Sequence, residues 1–266
     1  MFEDPLRDVH VWCTFCDEIR DETLLEEYER LLSADERERR SRFVFARDRH
    51  RFLVTRALVR TVLSRYSDVA PGDWTFVVNS YGRPEIAPRH PRAGMLSFNI
   101  SHTPSLVVLG VGCGRALGVD TENVRARQAP LEIAERYFAP AEVAALRALP
   151  ETNQSRRFFE YWTLKEAYVK ARSMGLSLPL RGFAFRFIGD RGVALSFDGE
   201  IADAASSWQL WQFSVAEDYL VAVCAGRTEP GAQLGGRRLG ARRGRDGLRG
   251  PLRVRGLAAQ DVRDGG

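Results

Sequence analysis

Long apolar runs are missing from this 266-residue chain. No stretch approaches the roughly 20 apolar residues of a membrane-spanning helix, so no such helix and no membrane association are expected. The first ten residues, MFEDPLRDVH, hold no basic segment followed by an apolar core. No secretory leader is therefore expected, and a cytoplasmic location is. Cysteine is scarce. Of the four, Cys13 and Cys16 form a CxxC within VHVWCTFCD. That stretch reads as a strand, where residues three apart point to opposite faces. No second CxxC or His pair completes a zinc site, so reduced, structural thiols are expected. Several signatures are absent as well: no P-loop, no GxGxxG and no GxSxG elbow occurs. These absences argue against the two common nucleotide cradles and the α/β-hydrolase nucleophile.

What remains is 44% hydrophobic and 28% charged, the composition of a soluble globular protein with one domain or two small fused ones. The net charge of +4 is unevenly spread. Residues 226–266 hold ten arginines and four acids, which leaves the rest of the chain at −2. That tail is rich in Gly and Arg and has no apolar period, so it is expected to be disordered and solvated. A basic tail can touch nucleic acid, but the acidic body lends that no support, and no nucleic-acid partner is expected.

Periodicity predicts a strand over 9–16, a helix over 21–32 and a capping box at Ser33 and Glu36. A longer helix is expected over 49–66 and a strand in DWTFVVN. YGRP (81–84) reads as a turn. The runs 95–101, 105–113 and 116–124 read as neighbouring strands of one sheet. Short helices follow at 131–137 and 141–149, and a long one from Gln154 to Ser173, stopped by Gly175. Four further strands suggest a second sheet. The chain reads as two α+β halves of similar size, 1–123 and 124–225, followed by the tail.

The chemistry concentrates in four places. In GVDTEN, Asp120 and Glu122 are two apart on a strand and share a face. Paired carboxylates repel unless a cation relieves them, and Mg²⁺ takes one or two carboxylates together with water and phosphate oxygens. An exposed strand end is the alternative. In FFEYWTLKEAYVK, Phe159, Trp162, Glu166 and Lys170 fall on one helical stripe. Glu166 and Lys170 have the spacing of a surface ion pair, worth about 0.3–0.5 kcal/mol, yet two aromatics share their stripe. A third metal ligand and a phosphate-binding amine would explain charges there. In FNISHT, Ser101 and His102 end a strand. As chain neighbours they do not make a nucleophile and base, but a hydroxyl and an imidazole can donate to phosphate. Arg39, Arg51 and Arg83 offer forks suited to phosphate. The common theme is a divalent cation with a pyrophosphate.

GVDTE followed some forty residues on by WTLKEAYVK resembles the two signature motifs of the Sfp-type 4′-phosphopantetheinyl transferases. YGRP, FNISHT and RDRHRFLVTRALVRTVLS resemble the motifs that precede them, in the same order, and the likeness spans residues 9 to 225. The resemblance implies an α+β fold of two similar α/β halves related by a pseudo-two-fold, with coenzyme A in the cleft between them. It implies transfer of the 4′-phosphopantetheine arm of coenzyme A to a serine of an apo acyl or peptidyl carrier protein, releasing adenosine 3′,5′-bisphosphate. Polyketide, nonribosomal peptide, lysine-pathway or fatty-acid carriers would serve, and the enzyme would be a monomer. By similarity Asp120, Glu122 and Glu166 would hold Mg²⁺. Lys170, His102 and Ser101 would contact phosphates, Arg83 would face the adenylate end, and Arg51 with Arg39 the 3′-phosphate. Glu166, Glu142 or a metal-bound water would be the base. Where some relatives carry a lysine before the N-terminal helix, this chain has Glu36.

Overall fold

The computed structural model describes residues 8–90, 93–126, 128–175, 178–189, 192–227 and 252–256. One order of elements occurs twice. A strand, β1 (Val9–Phe15), leads into three helices, α1 (Glu22–Leu31), α2 (Ala34–Ser41) and α3 (Ala46–Ser64). Two hairpins follow, β2 (Phe76–Val78) with β3 (Pro84–Ile86), then β4 (Leu96–His102) with β5 (Leu106–Cys113). The second round has β6 (Leu117–Asn123), the helices α4 (Leu131–Tyr137), α5 (Pro140–Arg147) and α6 (Glu151–Arg172), and the hairpins β7 (Phe183–Ile188) with β8 (Gly192–Phe197) and β9 (Trp208–Val215) with β10 (Tyr219–Gly226). Strand order repeats too: β1–β5–β4 in one sheet and β6–β10–β9 in the other, all antiparallel. The fold is α+β, with two halves of one topology and no repeat in sequence.

Two sequence expectations change. The strand at 116–124 does not join its predecessors. β6 pairs with β10 of its own half, after a turn in which Gly114 takes φ +59. The tail is not wholly unstructured either. β11 (Leu252–Gly256) runs parallel to β1 from Val9↔Leu252 to Cys13↔Gly256. It covers an edge of β1 that would otherwise leave a row of backbone groups unpaired. The rest of the tail lies outside the described residues.

Alternation explains the core. β5, LVVLGVGC, is buried throughout. Val107, Leu109 and Val111 pack with the apolar face of α3. Leu106 and Val108 face the other way, onto Leu117 and Val119 of β6. A third cluster lies around α6. Among the described residues no helix is long and apolar enough to cross a membrane. Cys13 and Cys16 are free, buried thiols whose pKa values burial pushes up to about 12, which fits inert structural thiols.

The packing of α6 on β6 depends on one glycine. A Cβ on Gly118 would meet the Ala167 carbonyl oxygen at 2.0 Å and the Ala171 amide nitrogen at 2.4 Å. Helix and strand backbones touch there, so α6 lies close enough to hold its side chains beside Asp120. Gly118→Ala should cost about 1–3 kcal/mol by overpacking. The urea midpoint should fall with the slope unchanged; an unaltered midpoint would mean that α6 yields without cost.

Candidate active site

β6 and β4 lie side by side without a ladder between them, and side chains stitch the seam instead. Asn99 Oδ1 accepts the Val119 N–H at 2.8 Å, and Ser101 Oγ accepts the Thr121 N–H at 3.3 Å. The space this leaves is a cleft of about 620 Å³ at the meeting of the halves. β4 contributes Ser101 and His102, β6 contributes Asp120 and Glu122, and α6 contributes Trp162, Glu166 and Lys170. Period-two alternation brings the two strand carboxylates to this face. Helical spacing brings the other three, with Phe159 of the same stripe anchored at 0% exposure in the core.

A compact polar cluster forms the floor. Lys170 Nζ donates to Asp120 Oδ1 at 2.6 Å, to Ser101 Oγ at 3.1 Å and to the Val119 carbonyl at 3.1 Å. Ser101 Oγ donates in turn to Asp120 Oδ1 at 2.9 Å. All three ammonium protons are placed by the protein. Asp120 Oδ2 is buried and has no hydrogen-bond partner. Burial and the Asp120 charge push the Glu166 carboxyl above its usual range, against the pull of Lys170. His102 stands at the mouth. Partial desolvation, then the nearby Arg51 and Lys170 charges, push its pKa down, which favours the neutral imidazole.

These residues fit a hard divalent cation. The orphaned Asp120 oxygen and the Glu166 carboxyl strained against it are what such an ion would relieve. Among the described residues no three His, Cys, Asp or Glu side chains are close enough to enclose a metal alone. Mg²⁺ does not need them to be, since it keeps water and takes phosphate oxygens for much of its octahedron.

The other expected residues lie elsewhere. Arg51 pairs with Asp48 at 3.0 Å on the His102 side of the cleft. Arg39 is exposed, over the Phe52 ring at 5.9 Å, and lines neither this cleft nor its neighbour. Arg83 lines a smaller cavity of about 270 Å³ that shares Glu166 and Lys170 with the first, but its guanidinium is engaged by the protein. Glu36 is tied up as well. It closes the capping box of α2 and pairs with buried Arg60 at 2.7 Å.

Glu142, a candidate base by resemblance, lies outside this cleft. Its side chain is fully buried and ion-paired to Lys165 at 2.8 Å. It also accepts the Ala139 and Phe185 amides, both at 2.8 Å. It has no free oxygen and does not line the cleft. Lys165, to which the sequence assigned no role, is its partner and also donates to the Leu180 and Phe183 carbonyls. One signal could have found it. Of 39 lysines and arginines only two, Lys165 and Lys170, are lysine. In a chain this rich in arginine, a lysine stands out as a compact point charge used in place of a planar fork.

Comparison with known proteins places the chain in a family. Residues 116–224 match the family model described as the 4′-phosphopantetheinyl transferase superfamily. Residues 21–113 match that of the 4′-phosphopantetheinyl transferase N-terminal region. The two segments adjoin at the β5–β6 turn. The 4′-phosphopantetheinyl transferase HetI of Nostoc is 37% identical over 170 residues, covering 64% of this chain and 70% of that protein. Sfp of Bacillus subtilis is 34% identical over 200 residues, covering 75% and 84%. The structure of holo-[acyl-carrier-protein] synthase from Thermotoga maritima matches with a TM-score of only 0.34 at 17% identity, over 42% of this chain and 62% of that one. On the strength of the sequence relatives, this chain belongs to the 4′-phosphopantetheinyl transferase superfamily.

Proposed function

We propose that the chain moves the 4′-phosphopantetheine arm of coenzyme A onto a serine of an acyl or peptidyl carrier protein, with Mg²⁺, releasing adenosine 3′,5′-bisphosphate. The observation that carries this reading is the Lys170–Asp120–Ser101 cluster facing Glu166 across one cleft. In the transfer the serine oxygen bonds the phosphorus that carries pantetheine. The bond from that phosphorus to the bridging oxygen breaks, and the electron pair leaves on the nucleotide phosphate.

Held by Asp120, Glu122 and Glu166, Mg²⁺ would neutralise the pyrophosphate. Lys170, its amine fixed by three acceptors, presents positive charge to the same phosphates without further reorganisation. His102, kept neutral, donates an N–H rather than a charge. Glu166 takes the serine proton. It faces the Lys170–Asp120–Ser101 cluster across the cleft, within the space the serine must enter.

The test is mass spectrometry of a panel of apo carrier proteins after incubation with the protein, coenzyme A and Mg²⁺. One carrier at least should gain the mass of one phosphopantetheine, and chelation of the metal should stop the gain. If no acyl or peptidyl carrier gains that mass, the reading is wrong.

A further inference from the structure

Arg83 sits in the tight turn between β2 and β3, on a hairpin of the first half. Gly82 takes φ +82 there, and Asn79 Oδ1 accepts the Tyr81 and Arg83 amides at 2.9 and 3.0 Å. Pro84 follows. This turn fixes where the Arg83 side chain departs. The guanidinium then runs inward to the seam between the halves. Nη1 donates to the Lys170 carbonyl at 2.6 Å and to Ser173 Oγ at 2.7 Å. Nη2 donates to the Phe98 carbonyl at 2.9 Å. Both Nη1 protons are taken by the protein, and the bonds reach two elements from different halves.

We infer that Arg83 is a positioning residue, whose guanidinium clamps the last turn of α6 to β4 and so sets Lys170 and Glu166 against Ser101 and Asp120. This rests on the transferase reading of the cleft. The last carbonyls of a helix lack intrahelical partners and form the negative end of its dipole. α6 ends at Ser173 in the left-handed region, φ +53, which a non-glycine residue seldom adopts. At this cap the Ser173 N–H reaches back to the Lys170 carbonyl at 3.2 Å. Arg83 adds a charged donor from outside to that same carbonyl. The backbone of the residue carrying the phosphate-binding amine is thus held directly, and Glu166 lies one turn before it. On the other side, Phe98 is three residues ahead of Ser101 on the same strand. Without the clamp, the last turn of α6 can open and the ammonium can drift from Asp120. Burial opposes the charge of Arg83, so a solvent-facing role would be easier to satisfy than the one it has. A lysine, a single point charge, cannot span these three acceptors.

The experiment compares wild type with Arg83→Gln, Arg83→Lys and Ser173→Ala, using the full chain with coenzyme A, Mg²⁺ and a loadable apo carrier. Both Arg83 variants should lower kcat by roughly tenfold, part of the 10²-fold that an ångström of misplacement costs. KM for coenzyme A should hold within about twofold, the pattern of an interaction that does not bind ground-state substrate. Ser173→Ala, which removes one acceptor of three, should lower kcat by less. A rise in KM with kcat intact, restored by lysine, would make Arg83 a coenzyme A ligand and overturn the clamp. Unchanged constants in both variants would overturn it as well. Should Arg83→Gln not fold, Arg83→Lys and Ser173→Ala carry the test. A second readout separates the clamp from the transferase reading. Amide hydrogen exchange between Lys170 and Ser173 should quicken in Arg83→Lys whether or not any carrier is loaded. Unchanged exchange there would sink the clamp, while failure of the wild type to load any carrier would sink only the reading beneath it.

Discussion

Asp120→Ala is expected to slow carrier loading by about 10²–10³-fold, the loss typical of removing one preorganised charge-stabilising group. Three things disappear together. The ion-pair partner of Lys170 at 2.6 Å goes, and with it the acceptor of the Ser101 hydroxyl. The orphaned Oδ2, the best-placed oxygen for a divalent cation, also goes. So does the charge that helps push the Glu166 carboxyl up. Folding should suffer much less than the rate. Asp120 is buried, but Lys170 keeps about a quarter of its side chain in solvent and retains Ser101 and the Val119 carbonyl as acceptors, so the loss should be about 1–3 kcal/mol. Asp120→Asn should keep the Ser101 hydrogen bond and still lose most of the rate, because an amide binds a hard cation poorly. Initial rates by mass spectrometry, beside urea unfolding of the same samples, check this. A rate within about threefold of wild type would remove both the metal and the Lys170 anchor from the mechanism.

Much of that cleft was legible because it obeys simple periods. Asp120 and Glu122 share a face by the alternation of a strand, and Trp162, Glu166 and Lys170 share one by the turn of a helix. The capping box of Ser33 and Glu36 is as local, and both its hydrogen bonds form. What local pattern cannot carry is the choice of partner. The run 116–124 is visibly a strand, but nothing within it says that it pairs with β10, far along the chain, rather than with the strand just before it. YGRP is visibly a rigid turn, but the direction of the Arg83 guanidinium depends on where α6 ends. Glu36 reads as a cap, and its second use, balancing Arg60 at 1% exposure, requires α3 to lie against α2. The surroundings of Glu142 are hidden for the same reason. A carboxylate near a motif invites a catalytic role, and only tertiary structure reveals the buried cation paired with it.

That pair leads to the largest expected effect on stability. Lys165→Met should destabilise the protein by about 3–5 kcal/mol, because it leaves the Glu142 carboxylate buried without its counter-charge. Glu142→Gln should cost a similar amount for the mirrored reason. The environment is severe: both side chains are wholly buried, with Phe183 packed 4.3 Å from the ammonium. Burial pushes the Glu142 pKa up and the Lys165 pKa down, so each charge is tolerated only through the other. The double variant Glu142→Gln/Lys165→Met carries no charge there. It should therefore cost clearly less than the two single variants added together, with a remainder from the Leu180 and Phe183 carbonyls that Lys165 satisfied. Urea unfolding of all four proteins closes the cycle, and simple additivity would mean that the pair is not coupled. Loading assays at a temperature where every variant is folded decide the role of Glu142. If it is structural, the double variant should load carrier much as wild type does. If it is the base, no substitution at Lys165 can restore a rate lost with Glu142→Gln. The buried geometry, with every carboxylate oxygen already holding an amide or an ammonium, argues for recovery.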